Sequence, residues 1–189
     1  MNHAHKIREE ALAIAIFIAV IWLIFLLDRF LPLEKFGLIP RDGEGLFGII
    51  AMTFLHVDFQ HIMGNTVPLA VLLSLLAGSQ ADSRKIVAFI IVLGGVLLWI
   101  FGRSNSIHIG ASLLVFGLAT FLVVSGLLEK RTVPIIISIL VAIMYGSTLI
   151  GGILPLKSGV SWEGHLMGGI AGAVTAWLLV RLRSNRFFT

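Results

Sequence analysis

A succession of apolar runs, each close to 20 residues and separated by short charged breaks, limits what this chain can fold into. About 20 helical residues cross a hydrocarbon core of about 30 Å, and that core tolerates no unpaired backbone groups, so runs of this kind are read as membrane helices. Six spans are expected, at residues 11–27, 59–77, 86–101, 107–128, 133–154 and 164–182. Only 13% of residues are charged and mean hydropathy is +1.02, against about 25% charged in soluble domains. No stretch is left over for a soluble unit, so residues 1–189 are read as one all-α membrane domain. The first run follows a charged start and lacks a small-residue cleavage site, so it is read as a retained span. The third run is short and the second contains Pro68, which predicts tilt or a kink.

Lysine and arginine set the orientation. The side holding both termini collects Lys6, Arg8, Arg84, Lys85, Lys130, Arg131, Arg181, Arg183 and Arg186. The other side collects Arg29, Lys35, Arg41, Arg103 and Lys157, with Asp28, Glu34, Asp42, Glu44 and Asp58 among them. The positive-inside bias places both termini in the cytoplasm. The net charge of +4 therefore calls for no nucleic acid; the bilayer and its anionic headgroups are the expected neighbours. The chain has no cysteine, which excludes disulfides, thiolate metal sites and a cysteine nucleophile. The long connection 28–58 interleaves prolines and glycines with Phe36, Leu38, Ile39, Phe47, Ile49, Ile50 and Phe54, so it is expected to lie partly embedded in the interface between spans one and two.

Polar side chains are costly in hydrocarbon, so their positions carry information. His56, His61, Asn65, Ser112, Tyr145 and His165 are the ones to weigh. Spans two, four and six enter from the non-cytoplasmic side, and each carries polar groups in its first turns: His61 and Asn65, then Ser112, then His165. Three segments thus place them at one depth, within about 10 Å of the outer boundary. His61 and Asn65 are four apart and share a helix face. Gly164, Gly168 and Gly172 form a small-residue stripe on span six, with Gly110, Ala111 and Gly117 small on span four, so the two helices can come close. Each residue alone has a plainer reading. Ser112 can bond a carbonyl one turn back, as Ser74, Ser125, Ser138 and Ser147 are expected to do. His56 and His108 can be solvated or capping, Tyr145 can pack against a neighbouring helix, and Trp99 and Trp162 can anchor at the interface.

The segments HVDFQHIMGN, GAS and GHLMGGIAG, in that order across six spans, resemble the rhomboid family of intramembrane serine proteases in its minimal bacterial form. The resemblance implies a six-helix rhomboid-like bundle in a bacterial plasma membrane that cleaves transmembrane protein substrates near the outer boundary, with no metal or other cofactor. It makes Ser112 the nucleophile and His165 the general base and later acid. His61, Asn65 and the Ser112 backbone N–H would stabilise the oxyanion, with His56, Gly110 and Phe116 in support. No carboxylate lies in a span core to orient His165, and Glu163 is too close in sequence, so a dyad is expected. Three positions depart from the family pattern. GxSG reads GASL, which puts the bulk of Leu113 beside the nucleophile. Phe116 stands where a tyrosine is common, and Phe47-Gly48 stands where the family's loop has Trp-Arg. Two other functions fit parts of the pattern: a rhomboid-like protein that binds membrane clients without cleaving them, and a transporter lined by His56, His61 and His165. The inner half of the spans lacks the polar groups a transport path needs. Oligomeric state is not legible.

Overall fold

The computed structural model describes residues 3–156 and 159–185. Lys157 and Arg186, both used above to assign the two faces, lie outside the described residues. Six long helices run α1 (His3–Leu27), α2 (Phe59–Ser79), α3 (Ser83–Phe101), α4 (Ser112–Glu129), α5 (Thr132–Gly152) and α6 (Trp162–Asn185). Each contains a stretch apolar and long enough to cross a membrane, and among the described residues there is no strand. The protein is an integral multi-pass membrane protein. With six crossings the two ends of the chain share one face; we call the opposite one the distal face.

α4 is the central helix. In its span 61% of residues are buried inside the protein, against 11 to 33% in the other five. It packs most extensively on α6, next on α5, and also on α2 and α3. A helix that is apolar all round belongs in such a position, and Leu114, Leu118, Phe121 and Leu122 of α4 are all but inaccessible. α1 lies at the periphery and packs mainly on α2, where Trp22 Nε1 donates to Thr66 Oγ1 at 3.2 Å. α2 continues unbroken through Pro68. α1 starts before the expected residue 11, because the polar KIREE segment prolongs the helix out of the apolar run.

On the face of the termini, polar residues tie three helix ends together. Gln80 donates to Glu129 at 2.8 Å, Arg183 donates to the Gln80 side-chain oxygen Oε1 at 3.0 Å, and Arg131 and Arg183 each lie 3.5 Å from the Glu129 carboxylate. Two intramembrane serines behave as their plainer reading predicts, Ser74 bonding the Ala70 carbonyl and Ser125 that of Leu122, whereas Ser138 bonds across to the Val123 carbonyl of α4 instead of one turn back.

On the distal face, connection 28–58 folds into short helical turns at Leu33–Phe36, Glu44–Leu46, Gly48–Ala51 and Met52–Phe54. Its apolar residues divide into two sets. Leu38 and Met52 are buried, while Phe30, Phe36, Leu46, Phe47 and Ile50 face outward, as a loop resting in the membrane interface requires. Arg41 clips the loop to the end of α3 by donating to the Ile100 carbonyl at 2.7 Å and to Ser104 Oγ at 2.5 Å, and Trp99 Nε1 donates to the Asp42 carbonyl at 2.9 Å.

Candidate active site

Ser112 is the first helical residue of α4, whereas the sequence reading began this span at 107. The five residues before it are not helical. Leu38 and His108 exchange backbone hydrogen bonds of 2.9 and 2.8 Å, and Gly110 adopts φ +115°. That backbone conformation strains any residue with a β-carbon. The space is also occupied: a methyl on Gly110 would lie 2.5 Å from His61 Nε2. The first hydrogen bond of the helix runs from Val115 N to the Ala111 carbonyl at 3.0 Å, so the N–H groups of Ser112, Leu113 and Leu114 have no intrahelical acceptor. Ser112 thus sits at the positive end of an 18-residue helix, a favourable place for developing negative charge.

Two side chains of α2 converge on the same place. Asp58 caps this helix, accepting from His61 N at 2.7 Å, and so sets where its first turn lies. His61 and the Asn65 amide nitrogen both approach the Gly110 α-carbon, two residues ahead of Ser112; the hypothetical methyl there would be 3.8 Å from Asn65 Nδ2. Asn65 uses one amide hydrogen on the His61 carbonyl at 3.0 Å and retains the other.

His56 lies beneath this cluster. It is 1% exposed, with its ring 5.0 Å from that of His61, and its Nε2 accepts from Ala111 N at 3.4 Å. Burial, together with the neighbouring His61 ring, pulls its pKa down to about 4, so it is a neutral imidazole at ordinary pH. An accepting Nε2 puts the proton on Nδ1, and Thr53 Oγ1 is buried with no hydrogen-bond partner among the described residues. His108 is 3% exposed, and burial lowers its pKa from the ordinary imidazole value. Neither histidine is solvated, which corrects that half of the plainer reading; the other half, capping, describes His56, which accepts from the backbone N–H just ahead of α4. His108 is held against connection 28–58 by its backbone pairing with Leu38, and His56 is part of that connection.

His165 sits one turn into α6. Its Nδ1 lies 2.8 Å from the Gly152 carbonyl oxygen at the end of α5, and a carbonyl can only accept. The proton is therefore on Nδ1 and the Nε2 lone pair is free. Phe116, four residues after Ser112 and on the same face of α4, stacks flat on the imidazole with ring centroids 4.1 Å apart and planes 4° from parallel. Gly152 has to be small here: a β-carbon would run into Phe116 and lie 3.1 Å from His165 Nδ1. Among the described residues no hydrogen bond joins Ser112 and His165. Glu163 is turned away from the imidazole and pairs through both oxygens with Arg103. Among the described residues no group of three His, Asp or Glu is arranged to hold a metal ion.

Close contact of α4 with α6 makes this arrangement possible. At Gly168 a β-carbon would collide with the Leu113 carbonyl, and at Gly172 with that of Gly117. Backbone thus meets backbone along the stripe, as small residues allow. Leu113 does not crowd this contact. Its side chain is 2% exposed and points toward α3, packed with Leu38, Met52 and Leu98 in space left open by Gly94. A β-carbon at Gly94 would lie 2.7 Å from Leu113 Cδ2, so the two residues are complementary. We therefore expect Gly94→Val to destabilise the protein alone and to do so less in a Leu113→Ala background. The coupling should be about 0.5–3 kcal/mol, as for residues in direct contact. Additive shifts of the melting temperature in detergent would show that the pair is independent.

Sequence reasoning missed Gly152, Ser161, Arg103 and Gly94. None has a local signature, because a carbonyl acceptor or a vacated volume becomes meaningful only when helices distant in sequence are adjacent.

The described residues thus form a six-helix membrane bundle with a serine at a helix start, an Asn/His pair close to it and an oriented histidine on the last span. The chain belongs to the rhomboid family: the model of the Rhomboid domain matches residues 43–182. Among its relatives are uncharacterized proteins of Mycobacterium tuberculosis and Mycobacterium bovis, each 40% identical over 176 residues, covering 86% of this chain and 72% of their own. An uncharacterized protein of Mycobacterium leprae is 36% identical over 174 residues, covering 86% of this chain and 68% of its own.

Proposed function

We propose that the chain is a serine endopeptidase that cleaves transmembrane proteins just inside the distal boundary of the membrane, using Ser112 and His165. The main support is the orientation of His165, whose Nδ1–H is held by the Gly152 carbonyl while Nε2 is left as a base. In soluble serine hydrolases a carboxylate fixes this tautomer. A carbonyl does so here without bringing a charge into the bilayer.

In the proposed reaction Ser112 Oγ attacks the substrate carbonyl carbon as its proton passes to His165 Nε2. The oxyanion that forms is met by the Ser112 N–H, His61 and the second hydrogen of Asn65. His165 then returns the proton to the departing amine as the C–N bond breaks, leaving an ester on Ser112. Water, deprotonated by His165, hydrolyses that ester, and the acid leaves as Ser112 regains its proton. Phe116 keeps the ring from tilting in both steps.

The excess of Lys and Arg on the face of the termini, nine against five, supports a cytoplasmic location for both ends, and the mycobacterial relatives support a bacterial plasma membrane as the host. The site then opens to the outer side. Cleavage of a single-span substrate in liposomes, with labelling of Ser112 by a serine-directed phosphonate, tests the reading. Asn65→Ala should lower kcat by about 10²–10³ with little change in KM, as expected on losing one oxyanion donor. A kcat within threefold of wild type would remove Asn65 from the reaction.

The missing hydrogen bond between Ser112 and His165 favours one other reading, a rhomboid-like protein that holds membrane clients without cutting them. Phosphonate labelling decides between the two, since a serine that is not activated stays unlabelled.

A further inference from the structure

The α6 turn that carries His165 is fastened at its distal end by residues the dyad does not use. Ser161 caps the helix, its Oγ accepting from Gly164 N at 3.2 Å while its carbonyl accepts from His165 N at 3.1 Å. The same Oγ lies 2.6 Å from His108 Nδ1. Two residues on, the buried carboxylate of Glu163 takes both a Nε and a Nη2 contact from Arg103, whose own side chain is 59% exposed. His108 and Arg103 both belong to segment 102–111, which leads directly into Ser112. That segment is itself fixed, by the backbone pairing of His108 with Leu38 and by Arg41 on Ile100 and Ser104.

We propose that Arg103–Glu163 and His108–Ser161 form a two-point latch that sets the depth and rotation of the first turn of α6 against segment 102–111, and so the approach of His165 to Ser112. Glu163, Arg103, His108 and Ser161 are positioning residues in this assignment; none touches the reacting atoms. The proposal rests on the proteolytic reading for its catalytic consequence, though not for the latch itself.

The physical case has three parts. Helix ends fray unless they are tied, and His165 is the fourth residue of its helix. Glu163 is 3% exposed, so its carboxylate requires a partner, and the positive helix end adds to the attraction without replacing it. His108 has no partner for Nε2 among the described residues, which leaves the Ser161 bond as what orients its ring. The Arg fork is planar and bidentate, so it constrains angle as well as distance.

The test uses the full chain in liposomes, with steady-state cleavage of a single-span substrate, the rate of phosphonate labelling, and hydrogen exchange at the amides of Gly164 and His165. Glu163→Gln keeps the shape and removes the charge; Arg103→Gln changes a largely exposed side chain. Each should lower kcat about tenfold with KM within twofold, because small misplacements of a catalytic group are costly. Each should slow labelling equally and speed exchange at Gly164 and His165 while leaving Ala171 and Ala176 unchanged. Arg103→Lys should recover part of the loss. Unchanged kcat together with unchanged exchange in Glu163→Gln overturns the latch. So does a kcat loss that Arg103→Lys shares in full and that follows a fall in melting temperature. If wild-type protein neither cleaves nor labels, the proteolytic reading fails and exchange alone decides: faster exchange upholds the latch as an anchor of α6, and unchanged exchange rejects it.

Discussion

Ser112→Ala should reduce cleavage of a single-span substrate in liposomes by at least about 10³-fold while leaving the melting temperature in detergent within a few degrees of wild type. The two halves of this expectation have separate causes. Covalent catalysis ends with the hydroxyl, and what remains is the stabilisation that oxyanion donors and substrate binding supply to attack by water. The fold should hardly notice, because the Ser112 side chain makes no hydrogen bond among the described residues and α4 is held by its apolar faces. His165→Ala should have a similar effect on rate. The double variant should be no worse than either single one, since a nucleophile without its base and a base without its nucleophile are equally idle. Additive losses would mean that the two residues act in different steps, and the dyad assignment would then fall. Undiminished cleavage by Ser112→Ala alone would also end it.

Gly168→Ala should lower stability by about 1–3 kcal/mol, the usual range for forcing extra volume into a packed interior, and should lower kcat by about a further hundredfold in the molecules that stay folded. The added methyl would land on the carbonyl oxygen of Leu113, and a helical carbonyl cannot swing aside as a side-chain tip can. α6 must therefore move off α4. His165 lies one turn from this contact, so a separation of about 1 Å there carries directly into the Ser112–His165 distance, for which a loss of about 10² is typical. Gly169→Ala is the control: the nearest atom to its β-carbon is Thr120 Oγ1 at 3.4 Å, an ordinary contact. Equal effects at 168 and 169 would indicate a loss of helix flexibility rather than of close approach.

Several features of the fold can be read without coordinates because they are local. An apolar run in hydrocarbon has to satisfy its own backbone, so at the distal side five of the six long helices end within a few residues of their apolar runs. The exception was α4, expected at 107 and found to begin at Ser112. Its failure is instructive: Ile107 and Ile109 are as apolar as any helix residue, and what breaks the helix is the pairing of Leu38 with His108, made by a loop 70 residues away. The concern over Leu113 has the same origin. Beside Ser112 in sequence it reads as bulk at the nucleophile, but α3 supplies a glycine at position 94 to receive it.

The sequence by itself determined that the chain crosses a membrane six times, which side gathers its positive charge, and that His61, Asn65, Ser112 and His165 are expected at one depth. Hydrophobicity, charge and helical rise are additive along a chain, which is why these were accessible. Tertiary structure decided which nitrogen of His165 carries the proton, that His56 and His108 are buried, that Glu163 turns to Arg103, and how near α6 lies to α4. Each of these depends on an acceptor, a cover or a vacancy contributed by a distant helix or loop, and short-range contacts between remote segments leave no periodic trace in the residues that make them.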